Sequence, residues 1–310
     1  MITQELSYRE LHQYYSEATP CFSAILAARA AQESDGCYRC GRPLYYQPKK
    51  SRATAYECVH CKYMVYPLWQ TPFHRLSPVE LVQCFQIALD KIAHPSGYSA
   101  HSTAQLDQWR YATTWRMVHR VRKLMALANA KIKLVSPVQI DEVAINTGTK
   151  GLGRFAKRKR GFGNDTHTTV FGLMDSVGHV KLLIVENREE ETLLNIVLDY
   201  VETGATIYSD EFRSYRKLST LGYKHLTVNH SKGEYKKGEA CTNRIEGFFG
   251  LMKSNLKGTY RQISETYCQN YLDEHAFRYN FRSLSVAGRL QQLLASLPPL
   301  FESVRHKKIV

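Results

Sequence analysis

The apolar positions of this chain change period several times, and each change predicts a new element. Residues 1–35 carry an amphipathic helical pattern that ends in the Ala-rich stretch Ala24–Ala31 and is broken by Ser34-Asp35-Gly36. Aromatic residues (Tyr45, Tyr46, Tyr56, Tyr63, Tyr66) then supply short-strand formers between turns as far as about Leu68. After Thr71-Pro72, Ser77-Pro78 sets a serine at a cap and a proline at the first helical position. Leu81, Val82, Phe85, Ile87 and Leu89 are the apolar set of that helix, and Pro95-Ser96-Gly97 stops it. A short segment Ser102–Trp109 and a longer helix from Tyr111 to about Ala130 complete a helix-turn-helix order. In the long helix Trp115, Val118, Val121 and Leu124 should face a core, leaving Arg116, His119, Arg120, Arg122 and Lys123 on the remaining surface.

From Val135 the period shortens to that of strands. Val138–Val143 is a short β-branched run ending in acids, and Thr168–Met174 with His179–Val185 reads as a hairpin about Asp175–Gly178. Glu189–Glu202 returns to helical spacing. Thr206–Asp210 is another strand ending in an acid, and His225–Asn229 a further short one. Two helices, Asn243–Lys257 and Tyr267–Arg282, close the unit. Three strands, helix, strand, helix, strand and helices is the order of an RNase H-like (retroviral-integrase-like) α/β domain. Its first three strands are antiparallel and the later ones add in parallel.

Charge alters this picture. The chain of 310 residues carries a formal net charge of +14. Seven Lys/Arg and no acid lie between Gln108 and Ile140, and six more without an acid between Thr149 and Arg160. Charge concentrated in stretches predicts contact with a polyanion, against the plainer reading of a solvated basic face. No apolar run approaches transmembrane length, so the expectation is a soluble, cytoplasmic, nucleoid-associated protein with no membrane partner.

Cysteine adds a metal. Cys37-Tyr-Arg-Cys40 and Cys58-Val-His-Cys61 are two Cys-x-x-Cys pairs with seventeen residues between them, the spacing of a zinc ribbon. Four thiolates close a tetrahedral site without an open position, so one zinc should hold structure and perform no chemistry. A redox dithiol needs a single pair in a βαβ setting, and a disulfide framework needs a secretory context. His60 reads as a turn residue. Cys21, Cys84, Cys241 and Cys268 are scattered and read as reduced, mostly buried thiols.

The remaining chemistry is acidic. Asp141 and Asp210 end strands that are neighbours in an RNase H-like sheet, while Glu142 and Glu211 point to the opposite face because the strand period is two. Glu246, with 35 residues between it and Asp210, is the natural third acid. On its helix Ile245, Phe248, Phe249, Met252 and Leu256 form a core stripe, and Asn243, Glu246, Gly250, Lys253 and Lys257 a second one. A capping box of Asn243 with Glu246 is the competing account. Three clustered carboxylates are costly unless cations neutralise them, and oxygen-only ligands favour two Mg²⁺ or Mn²⁺ ions flanking a scissile phosphate.

Ile140-Asp-Glu142, Tyr208-Ser-Asp-Glu211, Val228-Asn-His-Ser231, Thr242-Asn-Arg-Ile-Glu-Gly-Phe248 with Lys253, and Tyr271–Asn280 occur in one order. Over roughly residues 35–285 the chain resembles the insertion-sequence DDE transposases that carry a zinc-ribbon head, the ISXO2-like group related to the Merlin elements. The resemblance implies Asp141, Asp210 and Glu246 as catalytic, metal-binding acids and Lys253 as their associated lysine. The family pattern often has His where Cys241 stands and Trp where Phe249 stands. It implies binding to the terminal inverted repeats of an element and to target DNA, phosphodiester hydrolysis and 3′-end transfer, in a homodimer or higher synaptic oligomer. The DNA-contacting candidates are Arg116, Arg120, Arg122, Lys123, Lys157, Arg158, Lys159, Arg160, Asn243 and Lys257. The expected organisation is multidomain α/β: a helical segment 1–35, zinc ribbon 36–70, helix-turn-helix 76–132, catalytic domain 135–285 and a tail 286–310. A structure-specific nuclease of the same fold and a regulator with a degenerate core are the rival functions.

Overall fold

The computed structural model describes residues 6–33, 36–49, 52–147, 167–228, 236–237, 240–261 and 263–301. The basic stretch Thr149–Arg160, with Lys157, Arg158, Lys159 and Arg160, lies outside the described residues. The chain divides into two compact units, residues 1–128 with 281–310, and 129–280.

In the first unit the N-terminal helical segment holds two helices, α1 (Tyr8–Tyr14) and α2 (Ala18–Ala30). Ser7 starts α1 with a full capping box to Glu10. Three short antiparallel strands follow: β1 (Tyr46–Lys49), β2 (Arg52–Cys58) and β3 (Met64–Val65). Next come α3 (Pro78–Ala93), α4 (Ala100–Leu106) and α5 (Tyr111–Ala130). Ser77 and Pro78 start α3 as expected, with Glu80 completing a second capping box.

Residues 286–310, expected as a tail, instead hold a helix (Val286–Ala295) whose Leu290, Leu293 and Leu294 are buried. Residues 296–301 remain in contact with the unit. Arg29, only 1% exposed, donates to the carbonyls of Pro67, Trp69, Pro298 and Pro299. A buried guanidinium is tolerated because its fork finds carbonyl acceptors. It thereby ties α2, the end of the ribbon and the C-terminal segment together. The Phe301 ring lies 5.8 Å from that of Tyr38 and 6.2 Å from that of Tyr63.

The second unit is built on a five-stranded sheet of β4 (Val138–Asn146), β5 (His167–Met174), β6 (Val180–Val185), β7 (Thr206–Asp210) and β8 (Lys224–Val228). Its order is β6-β5-β4-β7-β8, with β4, β5 and β6 antiparallel and β7 and β8 added in parallel. At the hairpin tip, Asp175 accepts the N–H groups of Gly178 and His179 at 2.7 Å each, the turn role expected for it.

The helix α6 (Glu190–Tyr200) lies between β6 and β7 in sequence, and a 3₁₀ segment Arg213–Leu218 follows β7. A two-stranded piece of β9 (Lys236–Lys237) and β10 (Ala240–Cys241) precedes α7 (Asn243–Asn255), and α8 (Glu265–Asn280) ends the unit.

Alternation along β4 separates two cores. Val143 and Ile145 join residues of α7 and α8 on one face, among them Ile245, Phe249, Met252 and Leu272. Val138 and Ile140 join Leu193 and Val197 of α6 and Tyr215 on the other. Asp141 belongs to the first face by this alternation and Glu142 to the second.

Candidate active site and metal centre

Both cysteine knuckles are closed by backbone hydrogen bonds. In the first, the Cys37 N–H donates to Arg42 O and the Gly41 N–H to Cys37 O, both at 2.8 Å. In the second, the Cys58 N–H donates to Tyr63 O at 2.9 Å and the Lys62 N–H to Cys58 O at 3.0 Å. Gly41 and Lys62, each following the second cysteine of its pair, take left-handed φ values of +64° and +61°. The two turns are therefore local copies of one conformation.

They bring Cys37 Sγ to 3.8 Å from Cys61 Sγ, and Cys40 Sγ to 4.0 Å from Cys58 Sγ, with all four sulfurs within 4.8 Å of one another. A tetrahedron with Zn–S bonds of about 2.3 Å has edges of about 3.8 Å, so the group suits a structural zinc ion. All eight cysteines are free thiols. At Cys58 burial opposes ionisation, but the N–H groups of Cys61 and His60 outweigh it and bring the thiol down to about 7. His60 is exposed and lies edge-on to Tyr45, outside the sulfur group.

The acids gather in the second unit. The parallel register sets Val138 beside Ile207 and Gln139 beside Tyr208. Continued by two residues, it sets Asp141 level with Asp210. The strand β4 runs three residues beyond the expected end, so Asp141 is central in it and not terminal. It stands two residues past Gln139, the last that pairs with β7.

Burial above all pushes the Asp141 carboxyl up to about 7; the Glu142 N–H that it accepts at 2.8 Å pulls the other way, and the charges of Glu142, Asp210 and Glu246 add to the rise. Asp210 and Glu246 are half-buried. Asp210 Oδ1 accepts the Phe212 N–H at 3.0 Å, which fixes the turn after β7.

The helix α7 begins one residue earlier than a capping box would require. Thr242 is its N-cap and Asn243 lies inside the helix, exposed. The Thr242 hydroxyl donates to Glu246 Oε1 at 2.7 Å and makes no capping bond to a helix N–H. The Asn243–Glu246 capping box therefore does not form, and Glu246 is held as a hydrogen-bonded carboxylate.

The two expected stripes of α7 are present. Ile245, Phe248, Phe249, Met252 and Leu256 are buried, while Asn243, Gly250 and Lys253 are exposed. Lys257 departs from regular spacing, because Leu256–Tyr260 forms a wider π-type turn. Gly172, the residue of β5 that pairs with Asp141, lets α7 approach: a Cβ there would stand 2.6 Å from Phe249 Cζ.

Glu142 faces away as expected. Its carboxyl is buried, pairs with Arg188 at 3.3 Å, and sits beside the buried hydroxyl of Tyr215. Glu274 pairs with Arg278 and accepts the Tyr260 hydroxyl at 2.6 Å, the helical salt bridge the spacing predicts.

The basic helix α5 offers less charge to a partner than its sequence suggested. Arg122 and His119 are buried against each other, 2% and 6% exposed, with 3.4 Å between Arg122 Nη1 and His119 Nε2. Arg120 is half-buried and donates to the carbonyls of Pro72 and His74 at 2.6 and 3.1 Å. Arg116, paired loosely with Glu80 at 3.9 Å, and Lys123 are exposed. Helical spacing assigns residues to faces, and here the covered face is wide enough to take in part of the basic stripe.

Sequence reasoning missed Gln139, Thr242 and Gly172. Each carried a signal: a buried-strand amide two residues before Asp141, a threonine one turn before Glu246, and a glycine inside a β-branched strand.

Among the described residues the four cysteines are the one group of three or more His, Cys, Asp or Glu side chains placed to hold a metal ion, and Asp141, Asp210 and Glu246 do not form such a group. No helix of the described residues is long and apolar enough to cross a membrane.

Residues 133–280 match the model of the ISXO2-like transposase domain. A transposase-like protein of Haemophilus influenzae is 30% identical over 101 residues, which are 33% of this chain and 80% of that protein. A protein in transposable element ISH50 of Halobacterium salinarum is 28% identical over 172 residues, 52% of this chain. The chain spans 58% of that relative's length. The crystal structure of a pre-cleavage Mos1 transpososome shares 13% identity with a TM-score of 0.29, covering 64% of this chain and 74% of that one, a likeness too weak to bear on the fold. By the matched domain and the Haemophilus relative, this chain belongs to the insertion-sequence DDE transposases of the ISXO2-like group.

Proposed function

We propose that the chain binds the terminal inverted repeats of its element, hydrolyses phosphodiester bonds there and transfers the freed 3′ ends to target DNA. The observation that carries this reading is the register that sets Asp141 level with Asp210 on the sheet face against which α7, the helix of Glu246, packs; the half-buried Asp141 carboxyl feels both charges. The three acids are carried by β4, β7 and α7. The sheet order supports an RNase H-like core, and α3, α4 and α5 support a helix-turn-helix.

The acids offer oxygen donors only and repel one another, which suits Mg²⁺ or Mn²⁺. When bound, two such ions would activate a water or 3′-hydroxyl and stabilise the leaving oxygen. The chain's own residues hold the donors in place. Asp210 is fixed by the Phe212 N–H, Glu246 by the Thr242 hydroxyl, and Asp141 by the register of β4. Two element ends must be joined together, so the active form is a dimer or larger synapse.

Duplex oligonucleotides carrying the inverted repeats that bound the gene test the reading, with Mg²⁺ and a supercoiled target. Cleavage followed by joined products is the expected result. Cleavage without joining would favour a structure-specific nuclease. Binding without cleavage would favour a regulator.

Arg116 and Lys123 are the members of the basic helix available to phosphate. Replacing both with Ala is expected to weaken end binding and to lower the salt slope by about 0.9 per lost contact. Arg120→Ala should act differently, reducing thermal stability because it abandons the carbonyls of Pro72 and His74. Unchanged affinity and salt slope in the Arg116/Lys123 double variant would leave that helix as a solvated face.

Lys253 lies two turns beyond Glu246 on the exposed stripe and offers a point charge to a phosphate oxygen. Lys253→Ala should impair cleavage and joining strongly, Lys253→Arg should keep part of both, and Mn²⁺ titration should read alike in all three proteins. Normal cutting and joining by Lys253→Ala would end the functional stripe at Glu246.

A further inference from the structure

The helix that carries Glu246 begins with an unusual cap. The first turn of an α-helix has N–H groups without intrahelical acceptors, and a side chain at the N-cap ordinarily takes one of them. Thr242 does not, since its hydroxyl is directed at Glu246 Oε1. Ile245 is fully buried, so its N–H has no access to water and needs an acceptor from the protein. Gln139 Oε1 supplies it, at 3.1 Å, from the central strand of the sheet.

Gln139 is itself 6% exposed, and its Nε2 donates to Cys241 Sγ at 3.4 Å. The Ile245 N–H requires an acceptor and so fixes which end of the amide is oxygen. One side chain thus grips the chain on both sides of Thr242. Gln139 also lies two residues before Asp141, on the same face of β4.

We propose that Gln139 is a positioning residue: it caps α7 from the sheet and so fixes the axial register between the helix bearing Glu246 and the strand bearing Asp141. Gly172 sets the spacing between the same elements, because the Phe249 ring fills the volume of the missing Cβ. Close approach alone leaves the helix free to slide along the sheet. The Gln139 amide removes that freedom, and the Thr242–Glu246 bond carries the fixed position on to the carboxylate. A shift of about 1 Å in such a group is enough to lower a rate by on the order of 10²-fold. This role rests on the assignment of Asp141 and Glu246 to metal binding.

Gln139→Met keeps the shape and loses the acceptor; Gln139→Glu keeps the acceptor; Gln139→Asn keeps the amide but withdraws it by one methylene. Hydrogen exchange at the Ile245 amide and calorimetric Mn²⁺ binding are read on the full chain, beside kcat and KM for end cleavage. Gln139→Met is expected to speed exchange at Ile245, to weaken Mn²⁺ binding severalfold, and to lower kcat by about tenfold or more at little-changed KM. Gln139→Glu should retain exchange protection at Ile245. Should Gln139→Met fail to fold, Gln139→Asn is expected to give the same three changes.

Unchanged Ile245 exchange and Mn²⁺ affinity in a folded Gln139→Met or Gln139→Asn protein would overturn the proposal. Asp141→Asn and Glu246→Gln run in the same assays separate the two levels. If these variants bind Mn²⁺ and cleave normally, it is the metal-site assignment that fails. If they are inactive while the Gln139 variants match the wild type, the positioning role alone fails.

Discussion

Asp141→Asn, Asp210→Asn and Glu246→Gln proteins are each expected to bind end DNA with nearly unchanged affinity and to cleave it on the order of 10³-fold more slowly or worse. Each change keeps shape and removes one charge from the donor set. Asp141→Asn carries a second expectation that separates a metal ligand from a structural acid. In metal-free protein this carboxyl is disfavoured by burial and by the charges around it, so neutralising it should leave thermal stability equal or higher. The stabilisation that Mn²⁺ gives to the wild type should be lost in the same variant. A structural acid would show the reverse, a lower melting temperature and an intact metal response. Glu246→Gln can still accept the Thr242 hydroxyl, so its fold should persist. If it nevertheless cleaves at the normal rate, the third acid must be sought elsewhere. Glu211 is exposed, whereas Glu274 is fully buried beneath Arg278 and Tyr260.

What the sequence disclosed about this site depended on how local each signal is. The paired knuckles were legible because each is one turn, and four thiolates at that spacing have few other uses. The stripes of α7 were legible because 3.6-residue periodicity separates Ile245, Phe249 and Met252 from Asn243 and Lys253 without reference to anything outside the helix. Asp141 and Asp210 required more, namely the inference that β4 and β7 are neighbours.

Features decided by distant parts of the chain were not legible. Nothing near Arg122 announces that it will be buried beside His119, nor near Arg120 that two carbonyls 48 and 46 residues earlier will engage it. The last residues show the same gap. Leu290, Leu293 and Leu294 have helical spacing, but the partners that turn an expected tail into packed structure lie near the other end of the sequence. Arg29 meets Pro298 and Pro299 across some 270 positions. Gln139 is the instructive intermediate case. Its neighbour Asp141 was singled out, yet its role became visible only once α7 lay against β4.

The zinc ribbon is expected to unravel when a single ligand is lost, and to release the C-terminal segment with it. One zinc per chain should be found by elemental analysis, and Cys40→Ser or Cys58→Ser protein should contain almost none. The reason lies in how little apolar surface the ribbon has of its own. Among its described residues Ala55, Tyr56, Val65 and Leu68 are buried, while Tyr45 and Tyr66 remain exposed. So small a core cannot offset the entropy of ordering three strands and two turns, and metal binding must supply the difference. Structural zinc in isolated finger peptides is worth about 10–16 kcal/mol, as much as the whole stability of a typical domain. The loss should extend past the ribbon, since Phe301 rests on Tyr38 and Tyr63 and Arg29 joins Pro67 and Trp69 to Pro298 and Pro299. Hydrogen exchange after chelation, or in either cysteine variant, should therefore rise over residues 36–69 and 297–301 together. The strands β4 to β8 have cores of their own on both faces and should keep their protection. A purified, metal-free protein that stays protected through residues 37–61 would rule out a structural zinc. If the ribbon opens while Leu297–Phe301 stays protected, zinc still holds the ribbon but the C-terminal segment is secured by α2 and α3 alone.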